Sequence, residues 1–438
     1  MDKKMWINTF KRTLILMSAL MVISFTCQAG SNDMNSVTAT PVLKQAWSDY
    51  LSALEDVRVK MEATPRFQNT PQHRAKAYHT LMEMQAMAYT FAVAPRMAHP
   101  RIYVHTGWQT DIFTLGQNGQ DFYYGVAFVD GRQKYRLSGS MGDSSLSLLQ
   151  ILSGLFGGQD VRSVGNYDWD NFEVNADGTF DIILSATEEQ GNWVKLDPTL
   201  DYQFILIRRA LLDWQGDAGD IKLERLSEIS ADDYHADEFD ETAIANRIQR
   251  ATDLVSYLGQ YWNIGLYDHY LSNAGEKNKL SLLPGTVTSE VGNPISNYAM
   301  AIFELAEDEA LIIEMDKAPD GTYWSFQLGD VWSRSLDFTN YLTSINKQEA
   351  SVADDGSITI VVSHSDPGIK NWLDTAGRVE GTIVFRNYRA TTQPVPATRK
   401  VSLSDLDEEL PRNIERVTLE QRQQHIDYRR EGMRKLYD

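Results

Sequence analysis

His364, Asp366 and Asp374 fall close together in the last quarter of the chain. Imidazole changes charge near neutral pH, and carboxylates beside it can share or steer its proton, so this set has the chemistry of general acid–base catalysis. Two carboxyl groups at a suitable separation would also serve glycoside hydrolysis. The plainer alternatives are a core-edge histidine with both ring nitrogens satisfied and two solvated loop acids. A second set suits ligand contact. Tyr123, Tyr124, Trp324 and Trp332 offer the flat aromatic faces on which sugars stack, and His99 stands at a helix exit where it can line a cleft. Packing of a large core competes as a reading for these aromatics.

Other chemistries find no pattern. HExxH, HxH and paired Cys/His spacings are absent, so no metal site is expected. There is no GxSxG elbow, and Gly154-Leu155-Phe156-Gly157-Gly158 lacks the lysine of a phosphate loop, so no cofactor is expected. The acidic run from Asp232 to Glu241 reads as a helix-start charge cluster rather than a calcium loop. A formal net charge of −19 opposes binding to nucleic acid.

His364 gains interest from an internal duplication. Asp177-Gly178-Thr179-Phe180-Asp181-Ile182-Ile183-Leu184-Ser185 aligns with Asp355-Gly356-Ser357-Ile358-Thr359-Ile360-Val361-Val362-Ser363, at an offset of 178 residues. After one inserted residue Asn192-Trp193 matches Asn371-Trp372, and Arg208 matches Arg386 at the original offset. Residues common to both copies are read as fold determinants. Asp-Gly supplies the positive φ of a hairpin turn, the tryptophans seal a sandwich end, and each arginine pairs with a carboxylate near a strand edge. His364 is specific to one copy: it follows Ile358, Ile360 and Val362 on one strand face, where the first copy runs Phe180, Ile182, Leu184 and then Ala186.

The elements that must position these residues follow from periodicity. Apolar residues recur at helical spacing from Val42 to Met61, and Thr70-Pro71 reads as an N-cap and N1 proline ahead of a second stripe with Met82, Met84 and Met87 in the core. These two helices are expected to pack as a hairpin. Beyond residue 105 the period becomes two, returns to helical spacing after Asp240, and becomes two again from residue 281 to about 390. Pro394 and Pro396 mark a linker, and Thr418 with Gln421 opens a last helix as a capping box. The expected fold is α+β, mainly β: two duplicated antiparallel β-sandwich (jelly-roll-like) units with helical N-terminal, central and C-terminal segments. Its boundaries are a helical region at 30–105, repeat 1 at 106–230, a central helical segment at 231–280, repeat 2 at 281–400, and a linker and helix at 401–438.

Residues 1–29 read as a signal peptide: Lys3, Lys4, Lys11 and Arg12 precede the short apolar stretch Leu14 to Phe25, and Cys27-Gln28-Ala29 suits cleavage after Ala29. A retained anchor and lipidation at Cys27 are the alternatives, the latter disfavoured by bulky Phe25. Cleavage takes the net charge to −22 and removes the single cysteine, so the exported, periplasmic chain has no disulfide and no transmembrane segment.

The stretches GNWVKLDPTLDYQFILIRRALLDWQGD, SHSDPGIKNWLDTAGRVEGTIVFR and VTLEQRQQHIDYRREGMRKLYD resemble the bacterial domain-of-unknown-function family numbered 1214. That resemblance implies β-sandwich domains with accompanying helices and supplies no catalytic motif to transfer. The functional expectation is an exported enzyme acting on a glycan or other polar organic substrate in a cleft near repeat 2, with His364, Asp366 and Asp374 as acid and base. A non-catalytic periplasmic carbohydrate- or ligand-binding protein, and an envelope scaffold forming a homo-oligomer, are the alternatives.

Overall fold

The computed structural model describes residues 39–104, 116–230, 240–283 and 295–437. The signal-peptide reading, Cys27, His105, His235 and the acidic run from Asp232 to Glu238 lie outside these residues. Helix α1 (Pro41–Glu62) covers the first apolar stripe. Helix α2 (Pro71–Ala88) begins where Thr70 predicts, its hydroxyl accepting from the His73 N–H. Met84 and Met87 are buried on it, whereas Met82 faces outward at 66% exposure, a departure from the expected core of three methionines. Asp240 caps α3 (Glu241–Tyr257) by accepting from the Thr242 and Ala243 N–H groups, and a π-helical stretch (Leu258–Gly265) leads into α4 (Leu266–Ala274). Helix α1 runs chiefly along α3, with α2 a lesser neighbour, so the expected two-helix hairpin is instead one layer built from both helical segments. Gly259 permits the approach: a Cβ there would stand 2.4 Å from the Val57 side chain.

Repeat 1 contains β1 (Tyr103–Val104), β2 (Phe122–Val129), β3 (Tyr135–Ser140), β4 (Leu146–Leu152), β5 (Ser163–Asp168), β6 (Thr179–Ser185), β7 (Trp193–Lys195), β8 (Gln203–Ala210) and β9 (Ile221–Arg225). Repeat 2 contains β10 (Ser281–Leu282), β11 (Ser296–Glu304), β12 (Glu309–Met315), β13 (Tyr323–Gly329), β14 (Ser344–Asn346), β15 (Ile358–Ser363), β16 (Trp372–Asp374), β17 (Glu380–Tyr388) and β18 (Ala397–Ser402). The five-stranded sheets are ordered β1-β2-β8-β4-β5 and β10-β11-β17-β13-β14, and the four-stranded sheets β7-β6-β3-β9 and β16-β15-β12-β18. The two repeats thus correspond strand for strand. Each unit departs from a purely antiparallel plan at one place, because β6–β7 and β15–β16 pair in parallel.

The shared residues build that local structure. Gly178 and Gly356 take φ of +81° and +87°, and the preceding aspartates accept from Thr179 and Ser357. Asn192 accepts from the Glu173 N–H and donates to the Glu173 and Asp181 carbonyls; Asn371 does the same with Ser351 and Thr359. The Trp193 and Trp372 indoles donate to Ser185 and Ser363. The arginines depart from expectation. Arg208 and Arg386 lie on β8 and β17, each inside its sheet rather than at an edge, and bond Gln150 Oε1 and the Gln117 carbonyl instead of carboxylates.

Each repeat has its own core between its two sheets, with Ile182, Leu184 and Ile205 in the first and Ile360, Val362 and Phe385 in the second. The opposite faces of the five-stranded sheets form a third core with the helices, in which Phe122 and Phe204 of repeat 1 join Tyr323 and Tyr388 of repeat 2, Val57 and Leu254. The repeats also exchange contacts at their strand ends. Arg389, just after β17, pairs with Asp168 and Asp170 at the end of β5, while Asn346, the counterpart of Asp168, donates to the Leu212 carbonyl just after β8. Helix α5 (Leu419–Tyr437) starts with the expected capping box, Thr418 and Gln421 bonding each other's backbone N–H.

Candidate functional site

On the repeat 2 side of that exchange the position of Arg389 is held by Leu211, and no arginine comes from repeat 1. One comes from α5 instead. Arg422, His425 and Arg429 recur at helical spacing, so they share one face of α5. Arg422 grips Asp366 through Nε at 2.8 Å and Nη2 at 3.1 Å. His425 Nε2 meets Glu349 Oε1 at 2.9 Å. Arg429, 1% exposed, lies over the Trp214 ring at 4.1 Å, donates to Ser344, and brings Nε within 3.6 Å of the same Glu349 oxygen. The helix is therefore docked mainly by charge and hydrogen bonds.

Beside this stripe lies a hollow of about 350 Å3. Leu212, Asp213 and Trp214 from the exit of β8 form one wall, Gln348 to Ser351 another, and Lys370, Glu415, His425 and Tyr428 complete the lining. Tyr428 donates to Asp213 at 2.6 Å, a bond that pushes its hydroxyl pKa up to about 12. Burial works against the charge of Glu349, yet Arg429 and then His425 bring its pKa below the ordinary carboxylate value. Asp121 of repeat 1, buried nearby, goes the other way: burial and then repulsion from Glu349 push it up to about 6, with Tyr323 donating to it at 2.7 Å. Two carboxylates thus answer to one arginine, and Glu349 holds its charge to lower pH than Asp121 does. Because a carboxylate only accepts, the His425 nitrogen facing Glu349 carries the proton, and Nδ1 has no hydrogen bond among the described residues.

His364, Asp366 and Asp374 gather at the ends of β15 and β16. No hydrogen bond joins any two of them; each is tied to its own loop or to α5. His364 Nε2 faces the Leu305 carbonyl at 3.1 Å and so donates to it, while Nδ1 accepts from the Thr375 hydroxyl at 2.7 Å. Asp366 accepts from the Gly368 N–H and from Arg422. Asp374 accepts from the Ala376 N–H, and burial, then repulsion from Asp366, raises its pKa. The five ligand candidates are dispersed. Tyr124 faces the core between repeats, its hydroxyl accepting from the Gly119 N–H, and Tyr123 lies beneath Arg209. Trp324 is in the repeat 2 core, Trp332 is buried under Arg66 with its indole donating to the His73 carbonyl, and His99 is exposed beside the helical layer. None of the eight lines the hollow. The residues that do, Glu349, His425 and Tyr428 above all, carried one sequence signal: the helical spacing of Arg422, His425 and Arg429.

Among the described residues no group of three His, Cys, Asp or Glu side chains is placed to hold a metal ion, and no helix is long and apolar enough to cross a membrane.

Two segments of the chain, residues 153–211 and 303–392, match the family described as "Protein of unknown function (DUF1214)". At the 178-residue offset the first corresponds to the later part of the second. An uncharacterised protein from Burkholderia cenocepacia has a similar solved structure, with 29% identity and a TM-score of 0.74 over 84% of this chain and 99% of that one. A protein from Vibrio parahaemolyticus matches at 12% identity and a TM-score of 0.40, over 73% of this chain and 99% of that one. No protein of curated function matches the chain.

Proposed function

We propose that this chain of two DUF1214 segments is an exported enzyme acting on a small polar organic molecule, of the size of a sugar unit, in the hollow between Trp214, Glu349 and helix α5. The observation that carries the reading is the His425–Glu349 pair. A carboxylate on one ring nitrogen orients the imidazole and fixes its tautomer, which leaves the other nitrogen to take or return a proton. Trp214 and Tyr428 supply aromatic surface for an apolar ligand face, and Asp213, Lys370 and Glu415 supply partners for hydroxyl groups. Export rests on residues 1–29; N-terminal sequencing of the secreted chain should begin at Gly30. A non-catalytic binding protein is the second reading, favoured by the Tyr428–Asp213 bond, which already commits one polar pair of the wall.

The test is a thermal-shift screen of the protein against oligosaccharides, fatty acids and sterols, followed by His425→Gln. A ligand at a hundred times its Kd adds about 2.7 kcal/mol of stability. Retained binding with lost turnover in His425→Gln supports the enzyme. A hit with no turnover in either form supports the binding protein, and silence across the screen removes both.

A further inference from the structure

Arg208 and Arg386 are equivalent residues of the two repeats, and both point into the core between them, on the same strand faces as Leu206 and Val384. A guanidinium in such a place is strongly unfavourable unless paired with an acid. Neither meets a carboxylate among the described residues. Arg208 Nη1 donates to Gln150 Oε1 at 3.0 Å, and Arg386 Nη2 donates to the Gln117 carbonyl. Arg386 is 7% exposed, and its Nη1 has no partner among the described residues.

Tyrosines surround the two cations instead. Tyr124 is the cross-strand neighbour of Arg208, and Tyr298 that of Arg386, whose guanidinium stands 5.8 Å from the Tyr298 ring. The Tyr298 and Tyr388 hydroxyls are 2.8 Å apart. Phe122 bridges the set, 5.8 Å from Tyr124 and 5.6 Å from Tyr388. Tyr124 and Tyr388 each lie within electrostatic reach of both arginines, so the two guanidinium groups serve one cluster. Asp121 stands behind Tyr323 and accepts its hydroxyl. Arg208 and Tyr298 are only half-buried, which opens the cluster on one side.

We propose that this cluster binds a small oxyanion, a carboxylate or phosphate group, held between the repeats by Arg208 and Arg386. Such a group accepts from guanidinium N–H donors, and it supplies the charge that no carboxylate among the described residues brings to them. Burial keeps Tyr124 and Tyr388 protonated, so their hydroxyls donate to the anion rather than repel it. With one arginine from each repeat, the ligand also ties the two sandwiches together.

The full chain is titrated with acetate, inorganic phosphate and sulfate against sodium chloride at matched ionic strength. The expected result is a Tm rise of about 2 °C or more with one class of oxyanion, and the class that responds tells a carboxylate ligand from a phosphate-like one. Arg386→Gln should weaken the response at least tenfold in apparent affinity. Arg208→Gln, at a half-buried position, is the second variant if the first does not fold, and should do the same. A crystal soaked in selenate should show an anomalous peak within hydrogen-bond reach of Arg386 Nη1. No Tm rise with any probe and no peak there would overturn the proposal, as would equal responses in the unaltered chain and a folded variant.

Discussion

Asp121→Asn should make the protein more stable at neutral pH and flatten its stability between about pH 4 and 6. Asp121 is 6% exposed and accepts from Tyr323 at 2.7 Å. Burial, then repulsion from Glu349, raises its pKa from 3.8 to about 6. The folded chain therefore holds this proton more tightly than the unfolded chain does. Below pH 4 both states carry the proton and the contribution is fully present. As pH rises from about 4 to 6 the unfolded chain releases it first, so folding loses free energy, and above the folded pKa the loss is complete. The gap corresponds to about 3 kcal/mol. Asparagine keeps an acceptor for Tyr323 without a titrating charge; allowing about 1 kcal/mol for the weaker hydrogen bond, the variant should gain about 2 kcal/mol near pH 7.5. Glu349 contributes with the opposite sign, its stabilisation being lost as pH falls below the ordinary 4.5, and subtracting the two proteins removes most of that term. Urea midpoints at half-unit steps from pH 4 to 8 are the assay. A difference between variant and parent that stays constant over that range would refute the argument that two buried carboxylates compete for Arg429.

Arg429→Met should destabilise by about 3–5 kcal/mol, because Glu349 keeps its charge in a buried site without its arginine; adding Glu349→Gln should recover part of this, and a double-mutant coupling below about 0.5 kcal/mol would deny the pairing. Asn371→Ala should cost about 2–3 kcal/mol and Asn192→Ala about 1 kcal/mol, since the same clamp is buried in repeat 2 and only half-buried in repeat 1; equal losses in chemical denaturation would contradict that difference.

The local layers were legible in the sequence. Period-two runs and helical stripes place the strands and the helices, Thr70, Asp240 and Thr418 cap as their types require, and the 178-residue offset carries the correspondence of the two sandwiches, because each of these depends on neighbours a few residues apart or on direct repetition. The parallel pairings β6–β7 and β15–β16 were not legible, since a strand's direction relative to its partner leaves no mark on its alternation. The hollow was not legible either. His425 and Glu349 stand 76 positions apart and Asp121 and Tyr323 stand 202 apart. They meet only because the ends of β8 and β14 cross between repeats and α5 lays its charged face over them. His364 shows the converse: its copy-specific place suggested chemistry, and the fold gave both its ring nitrogens to Thr375 and Leu305. Sequence patterning determines which residues form each layer, whereas the environment of a titrating side chain depends on which distant loops the packed layers bring together, and that is decided by tertiary structure.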